Sequence, residues 1–322
     1  MQTQATGTPY EIVVSVNRAE WEGEMGRLIR ADLESDIPML PQPEPAFRVM
    51  FADSGRFGTL LKHVRNVFII NIDPTMFTQM ALQYERDAWA KGQMTLKMNA
   101  PDRQSVMDFF SKDSRKISKF FSMVEMNRAT LLLGLAPGTA PMDSLSRLFN
   151  IKLCLPYEMK ATGRGKGKDF FWVSDDGKKG RSDVIVYTFP YTDTNTFTME
   201  YLMAKRDSVL QINLPGGRPD SYMTTEKMIE PEYEAIALRG KYCGLMRGLW
   251  RMVGDAMGGP FVSVARLDSA NNRVIVAEGF VYAPETHKRN FIRKLEAALY
   301  TLRLPDELDL PVEEPYKDIS KL

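Results

Sequence analysis

The chain has 322 residues, of which 44% are hydrophobic and 26% are charged, a balance typical of a folded globular protein. Its 42 basic and 41 acidic side chains give a formal charge of +1, without the basic surplus that nucleic-acid binders use to contact phosphates. No stretch approaches the roughly 20 apolar residues of a bilayer-spanning helix. These numbers predict two ordinary domains or one large one, and they argue against a nucleic-acid partner.

The first part of the chain, residues 10–135, is predicted to alternate between strands and helices. Short β-branched or alternating apolar runs predict strands at 11–16, 47–51, 66–72 and 93–98. Apolar residues at helical spacing predict helices at 20–33, 57–64, 76–90 and 102–133. The four prolines within residues 37–45 favour an extended loop, because proline is excluded from helix interiors. This part is predicted to be an N-terminal α/β half.

The second part is organised differently, with longer runs of consecutive strands. The Gly- and Pro-rich residues 136–142 are predicted to be a linker, and 143–304 a C-terminal α+β half. Strands are predicted at 151–155, 170–174, 183–189, 222–229, 235–238, 242–253, 261–267 and 273–282, and helices at 144–149, 197–210 and 286–302. Asn271-Asn272 indicates a hairpin turn between the last two strands. The Pro-rich tail, 305–322, is predicted to be extended. The fold class is therefore α+β, with two α/β sandwich-like halves built on mixed or antiparallel sheets.

The usual catalytic and metal-binding patterns do not appear in the sequence. It contains no Gly-x-Ser-x-Gly elbow, and its two histidines, His63 and His287, have no ligand-type residues at suitable spacing. Cys154 and Cys243 are the two cysteines, and each lies in an apolar stretch typical of a buried free thiol. A single disulfide between them is the alternative. The sequence predicts neither a metal nor a cofactor.

Two polar segments resemble functional motifs but lack their defining features. Gly163–Lys168 is rich in glycine and lysine, yet it has neither the spacing nor the following Ser or Thr of a phosphate-binding loop. We interpret it as a basic hairpin loop. Asp175-Asp176 precedes a glycine and has the composition of a turn. A glycosidase would need two carboxylates that face each other across a cleft, and nothing in the sequence selects one pair from the 41 acidic residues.

One segment, 247–263, has residues typical of a binding surface. It places Arg247, Trp250 and Arg251 on a predicted strand, followed by Asp255 and the Gly258–Pro260 turn. Arginine and tryptophan beside a flexible turn can form an aromatic and guanidinium platform for a ligand or partner. The alternative is a core tryptophan with arginines on the solvent face.

Many ordered stretches of this chain resemble the DUF4837 family of uncharacterised proteins from Bacteroidota. The matching stretches include 5–14, 21–23, 41–45, 66–74, 87–90, 189–193, 206–208, 221–225, 248–251, 257–262 and 278–284. They extend from about residue 5 to about residue 302. The family has no established activity, so the resemblance supplies no catalytic residues.

The resemblance implies an exported lipoprotein of the cell envelope, with the outer membrane as the expected location. Family members carry a lipid-modified cysteine shortly before the equivalent of Ala5, and this chain has no such cysteine. Its N-terminal residues, 1–11, lack the pattern of a signal peptide, and they fit either a native start or the position after a removed targeting segment. The second half is also similar, more weakly, to the Mog1/PsbP-like α/β sandwich.

Two functional hypotheses follow from the residues and the resemblance. The first is a non-enzymatic envelope protein, anchored through an N-terminal lipid, that binds a protein partner through Trp250 and Arg251. The second is a binder of a small ligand such as a glycan or cell-wall fragment, using Tyr191, Asp193, Arg247 and Trp250. An enzyme is the third alternative, and it would require a deep pocket with convergent polar groups.

Overall fold

The computed structural model describes residues 2–112, 115–162, 169–177 and 179–319. The chain divides into two compact units, each described here by itself. Unit 1 contains the described residues of 1–37, 44–128 and 316–322, and unit 2 contains those of 38–43 and 129–315. The division lies between residues 128 and 129, ahead of the predicted linker at 136–142.

Unit 1 is a mixed sheet with flanking helices. Its strands are β1 (Glu11–Val16), β2 (Arg48–Asp53), β3 (Asn66–Ile72), β4 (Ala81–Arg86) and β5 (Met94–Ala100). Its helices are α1 (Arg18–Glu22), α2 (Glu24–Leu33), α3 (Thr59–Lys62), α4 (Arg103–Lys112) and the first part of α5 (Lys116–Leu135). Among the described residues the strand order is β2-β1-β3-β5-β4. The edge strand β4 pairs antiparallel with β5, and the other neighbouring strands pair in parallel.

The sequence of β1 explains its place inside this sheet. Ile12, Val13 and Val14 are consecutive and all are fully buried. A strand can bury successive side chains only where both faces of its sheet are covered, as is usual for parallel strands connected by helices. The buried carboxylate of Asp32 caps the start of helix α5. It accepts hydrogen bonds from the backbone N–H groups of Ile117 and Ser118.

Unit 2 is built on a larger, mainly antiparallel sheet. Its helices are the last turns of α5, α6 (Thr139–Phe149), α7 (Met199–Asn213) and α8 (Arg289–Leu299). Its strands are β6 (Ala161–Thr162), β7 (Phe170–Gly177), β8 (Gly180–Pro190), β9 (Tyr222–Thr225), β10 (Glu232–Leu238), β11 (Lys241–Val253), β12 (Gly258–Asp268) and β13 (Arg273–Tyr282). In the described part of the unit their order is β10-β11-β12-β13-β8-β7-β6, and β9 pairs with the end of β11.

The two faces of this sheet bury different helices. Alternate side chains of β8, β11, β12 and β13 pack with Leu202 and Leu210 of α7 in one apolar core. Helix α8 packs on β12 and β13 and buries Ile292, Leu295 and Leu299. The predicted α+β class with two sandwich-like halves is confirmed by these sheets and their helices.

Three predicted elements are wrong. The predicted helix at 76–90 contains the edge strand β4, which is held by antiparallel pairing with β5, so tertiary pairing outweighed its helix-like spacing. The predicted helix at 102–133 is two helices, because Arg115 between them has the left-handed φ of 70°. The predicted strand at 151–155 forms only an isolated bridge, between Lys152 and Arg303.

The hairpin between β12 and β13 forms where Asn271-Asn272 predicted it, with Asn272 in the left-handed region at φ 48°. The glycine- and lysine-rich segment 163–168 lies outside the described residues.

Candidate interaction surfaces

The predicted platform on β11 is divided between the two faces of the sheet. Arg247 and Arg251 are four residues apart and share one face, whereas Trp250 lies on the other, because side chains alternate along a strand. Trp250 is 2% exposed and belongs to the core beneath α7. The expected joint surface of Arg247, Trp250 and Arg251 is therefore corrected to a core indole with two arginines on the opposite face.

The indole of Trp250 is fully satisfied inside that core. Its Nε1–H donates to the carbonyl of Val281 at 3.2 Å, and its ring lies 5.7 Å from that of Phe280. A Cβ at Gly259 would lie 2.0 Å from the Val281 oxygen and 3.2 Å from the indole nitrogen. Gly258–Pro260 was predicted to be a flexible turn. Its glycine at 259 instead leaves room for the indole and the Val281 carbonyl to come close to the backbone.

Arg247 contributes to a buried ionic cluster around Glu296 of α8. Its guanidinium donates to the Glu296 carboxylate, which also accepts from Tyr300 Oη at 2.9 Å and from Arg293 Nη1 at 3.4 Å. Burial alone would raise the pKa of Glu296, but the charges of Arg247 and Arg293, with their hydrogen bonds, lower it to about 2. Arg247 also lies 3.5 Å from Glu234 on β10. The cluster joins α8 to β11, and its charged groups are paired with one another.

Arg251 and Asp255 lie at the surface with local partners. Arg251 is 51% exposed at its side chain and lies 3.7 Å from Glu226. Asp255 accepts from the N–H of Ala256 at 2.7 Å in the turn between β11 and β12. The two residues do not share a site with Trp250.

Tyr191 and Asp193 lie at the other end of the α7 face, where they help to build an exposed group of aromatic rings. We define the aromatic cluster as Tyr191, Phe197, Tyr233 and Tyr242. The carboxylate of Asp193 accepts from the N–H of Asn195 at 2.8 Å and so caps the short 3₁₀ turn Thr194–Phe197 that carries Phe197.

The rings of the aromatic cluster hold one another in place. Phe197 lies 5.2 Å from Tyr242 and 6.1 Å from Tyr191, and the Tyr233 hydroxyl bonds both the Phe197 carbonyl and the Tyr242 hydroxyl. Burial and the hydrogen bond to Tyr242 raise the pKa of Tyr233, so its hydroxyl stays protonated. A Cβ at Gly244 would lie 2.6 Å from that hydroxyl, which explains the glycine beneath it. Tyr242 is 47% exposed, so the cluster presents an aromatic face to solvent.

A second surface, which the sequence analysis did not predict, surrounds the end of α5. We define the apolar patch as Leu131, Leu132, Leu135 and Tyr157, which are 36%, 62%, 81% and 64% exposed. Leu132 and Tyr157 line a depression of about 260 Å³. The other lining residues are Ala129, Leu133, Ala136, Pro156, Glu158 and Lys294. Lys294 and Glu158 form an ion pair of 3.3 Å at its polar side.

The sequence contained a signal for this patch. Residues 129–135 include four leucines, and a helix directs neighbouring residues to different faces, about 100° apart. Four leucines so close together cannot all face one core.

A fully buried ion pair also escaped prediction. Arg206 of α7 donates to both carboxylate oxygens of Glu278 on β13, at 2.8 and 2.7 Å, and to Thr225 Oγ1 at 2.9 Å. Its guanidinium carbon lies 3.8 Å from the ring centre of Phe261. Both side chains of the pair are 0% exposed, so the pair fastens α7 to the sheet and does not contact solvent.

Two kinds of group that the sequence analysis singled out, metal ligands and thiols, can be checked in the described residues. Within them, no three His, Cys, Asp or Glu side chains converge as metal ligands would. Cys154 and Cys243 are free and buried, and burial raises the pKa of the Cys243 thiol to about 12, which keeps it from acting as a thiolate nucleophile. None of the helices in the described part of the chain has the length and apolar composition needed to cross a membrane.

Two family models match the chain. A model described as "Domain of unknown function (DUF4837)" matches residues 139–301, just over half of the chain, and confirms the predicted resemblance. A second model, "Domain of unknown function (DUF8532)", matches residues 5–132. Two models therefore cover the range that the sequence analysis had assigned to one. No curated protein matches the chain.

Two of the solved structures that match the chain are weak neighbours. A mutant of the protein Mog1 is 9% identical and has a TM-score of 0.30, with 50% of this chain and 92% of that chain covered. The human StarD13 lipid transfer and protein localization domain is 10% identical and has a TM-score of 0.23, with 43% and 82% covered. Mog1 is thus a weak structural neighbour.

Proposed function

The chain belongs to the DUF4837 family, which is described as a domain of unknown function, and we propose a role from its surfaces. We propose that it is a non-enzymatic cell-envelope protein that binds another protein through the apolar patch. The exposure of Leu132 and Leu135 carries this proposal. Large apolar side chains grouped at a surface favour association, because burying each one gains about 1.5–3 kcal/mol. The partner that fits is a protein with an apolar side chain for the depression beside Leu132 and Tyr157.

The proposed location rests on the lipoprotein character that the family resemblance implies. A lipid anchor ahead of residue 5 would hold the protein at a membrane, with the outer membrane as the expected one. The anchor would bring the apolar patch close to other envelope proteins and raise their effective concentration. Crosslinking of the native protein in envelope membranes, followed by mass spectrometry, identifies the partner.

Substituting Leu132→Glu together with Leu135→Glu is expected to weaken partner recovery by at least tenfold. Two charges would replace two apolar contacts, while glutamate keeps a helix propensity close to that of leucine. The measurement is quantitative crosslinking and co-purification from membranes, alongside the melting temperature of the purified variant, which we expect to stay within a few degrees of the parent.

The matched control is Met228→Glu, which places a charge on another apolar side chain of unit 2, one that is 92% exposed. It should leave partner recovery unchanged. If the double leucine variant retains its partner at the parent level, the apolar patch is not the docking site.

A second function, binding of a small ligand such as a glycan, is favoured by the aromatic cluster. The half-exposed ring of Tyr242 and the neighbouring Phe197 offer flat apolar faces, and the Tyr191 and Tyr233 side chains add polar edges. Flat aromatic faces beside hydrogen-bonding groups suit the alternating C–H and hydroxyl surfaces of sugars.

For this second function, envelope glycans at millimolar concentration are expected to raise the melting temperature of the parent, since a ligand that binds the native state stabilises it. Tyr242→Ala should abolish that increase, because it removes the most exposed ring of the cluster. Tyr157→Ala, which removes an exposed ring elsewhere in unit 2, should preserve it. An increase that survives Tyr242→Ala would place the ligand elsewhere.

A further inference from the structure

The large sheet of unit 2 has an open edge at β10. Within the described residues, β10 pairs with β11 on one side, and no strand or other backbone segment pairs with it on the opposite side. Ala235 and Ala237 are exposed, so the rest of the described chain leaves the middle of this edge uncovered. An uncovered edge strand can accept a further strand, because its outward N–H and C=O groups are available for pairing.

The turn after β10 determines which of its backbone groups face outward. Residues 239–240 separate Leu238 from its register partner Lys241, and both turn residues have positive φ, at 52° and 72°. In such a two-residue hairpin the residues that flank the turn are joined by a hydrogen bond, so Leu238 directs its backbone groups toward β11. These directions alternate along an antiparallel strand. The residues that direct their N–H and C=O groups outward are therefore Tyr233, Ala235 and Ala237.

The two faces of β10 carry different chemistry. Glu232 and Glu234 lie on the face of Arg247, because residues directly opposite in an antiparallel pair share a face and alternate residues follow them. Both glutamates are exposed, and Glu234 lies 3.5 Å from Arg247. Residues 228–238 contain no lysine or arginine. The other face carries the Tyr233 ring of the aromatic cluster. The open edge is thus acidic on one face and aromatic on the other.

We propose that the open edge of β10 binds an extended segment of a partner protein as an added antiparallel strand, in which lysine or arginine alternates with apolar residues. The pairs β10–β11 and β11–β12 are antiparallel, which favours the same direction for the added strand. Its basic side chains lie beside Glu232 and Glu234. Its apolar side chains lie beside Tyr233 and Ala235 on the opposite face, where alternate residues of an added strand find their contacts.

A second copy of the chain fits this edge less well than a basic segment does. Pairing of two β10 strands would bring the glutamates of both copies to one edge, and like charges on neighbouring strands destabilise their pairing. The surface shares no residue with the apolar patch, so it offers unit 2 a second means of binding a protein.

The probe is a synthetic peptide of four lysine–valine repeats, blocked at both ends, and the measurement is its binding to the full chain by fluorescence anisotropy. Saturable binding is expected. A peptide of the same composition with its lysines and valines in separate blocks has the same charge but no alternation, and it should bind about tenfold more weakly or worse.

Methylation of peptide nitrogens tests the backbone pairing directly. In the antiparallel arrangement the valines lie on the face of Ala235 and direct their N–H groups toward β10, whereas the lysines direct theirs away from it. N-methylation of every valine should therefore abolish binding, and N-methylation of every lysine should preserve it.

Ala235→Pro tests the same contact from the protein side. Proline removes the outward N–H of residue 235 but no donor of the β10–β11 ladder, so the variant should keep a melting temperature near that of the parent and lose peptide binding. Glu232→Gln should weaken binding about threefold through loss of one exposed charge. Glu285→Gln, which changes an exposed glutamate between β13 and α8, should leave binding unchanged.

Equal binding of the unmodified and the valine-methylated peptides would overturn the proposal, and this comparison needs no change in the protein. Equal binding by the parent and a folded Ala235→Pro variant would overturn it as well. So would a dimer of the full chain in sedimentation that Ala235→Pro separates into monomers, because β10 would then pair with a second copy.

Discussion

Glutamine in place of Glu278 is expected to destabilise unit 2 by about 3 kcal/mol, the cost of breaking a buried ion pair. Asp207, 3.8 Å from Arg206, is the acidic group that remains beside the guanidinium. The Arg206 guanidinium is 0% exposed and gives two of its donors to the carboxylate. An amide offers one acceptor where the carboxylate offered two, and it faces the remaining donor with an NH₂ group. Calorimetric unfolding of the full chain should show the transition of unit 2 shifted to lower temperature.

Two variants separate the buried charge from general effects of substitution. Arg206→Met combined with Glu278→Leu removes both charges and should recover most of the lost free energy of unfolding, since apolar pairs replace buried ion pairs at little cost. Glu158→Gln breaks an exposed pair with Lys294 and should change the free energy of unfolding by less than about 1 kcal/mol. Equal small losses in all three would mean that Arg206 is accommodated without Glu278.

The sequence predicted those elements whose local pattern and tertiary setting agree. The run Ile12–Val14 predicted a buried strand and forms one inside the sheet of unit 1. Asn271-Asn272 predicted a hairpin because asparagine tolerates the left-handed conformation that Asn272 adopts. At Ala81–Arg86, by contrast, the apolar spacing fitted a helix, and the antiparallel pairing with β5 made this segment a strand.

The candidate surfaces were less predictable, because they depend on which face of an element is covered. Strand alternation alone separates Trp250 from Arg247 and Arg251, so the sequence contained enough information to divide that platform. It did not show that α7 covers the face with Trp250. The exposed position of Leu132 and Leu135 likewise depends on which face of α5 the rest of unit 2 covers.

The buried charges were the least predictable feature. Arg206 and Glu278 are 72 residues apart, and Glu296 and Arg247 are 49 apart. Neither spacing falls within a helix turn or a hairpin, the two local arrangements in which charge pairs can be inferred from sequence. Such residues resemble ordinary surface charges until the sheet and its helices are assembled.

The acid dependence of stability is expected to be set in part by Glu296. Its pKa is lowered from 4.5 to about 2 in the folded chain, so its ionised form stabilises the fold above pH 4.5, and this contribution is lost as the pH falls from about 4.5 to about 2. A shift of this size corresponds to about 3 kcal/mol. Glu296→Gln should therefore cost about 3 kcal/mol at neutral pH, and the difference from the parent should vanish near pH 2.

The measurement is urea unfolding of parent and variant at a series of pH values from 7 to 2, because the difference between them cancels the titration of other carboxylates. Tyr300→Phe is the matched control: it removes one hydrogen bond to Glu296 but keeps the charges of Arg247 and Arg293, so most of the acid dependence should remain. A Glu296→Gln variant that loses stability below pH 4.5 as steeply as the parent would show that Arg247 and Arg293 do not hold the carboxylate ionised. The attachment of α8 to the sheet would then depend on packing, with Ile292, Leu295 and Leu299 buried against β12 and β13.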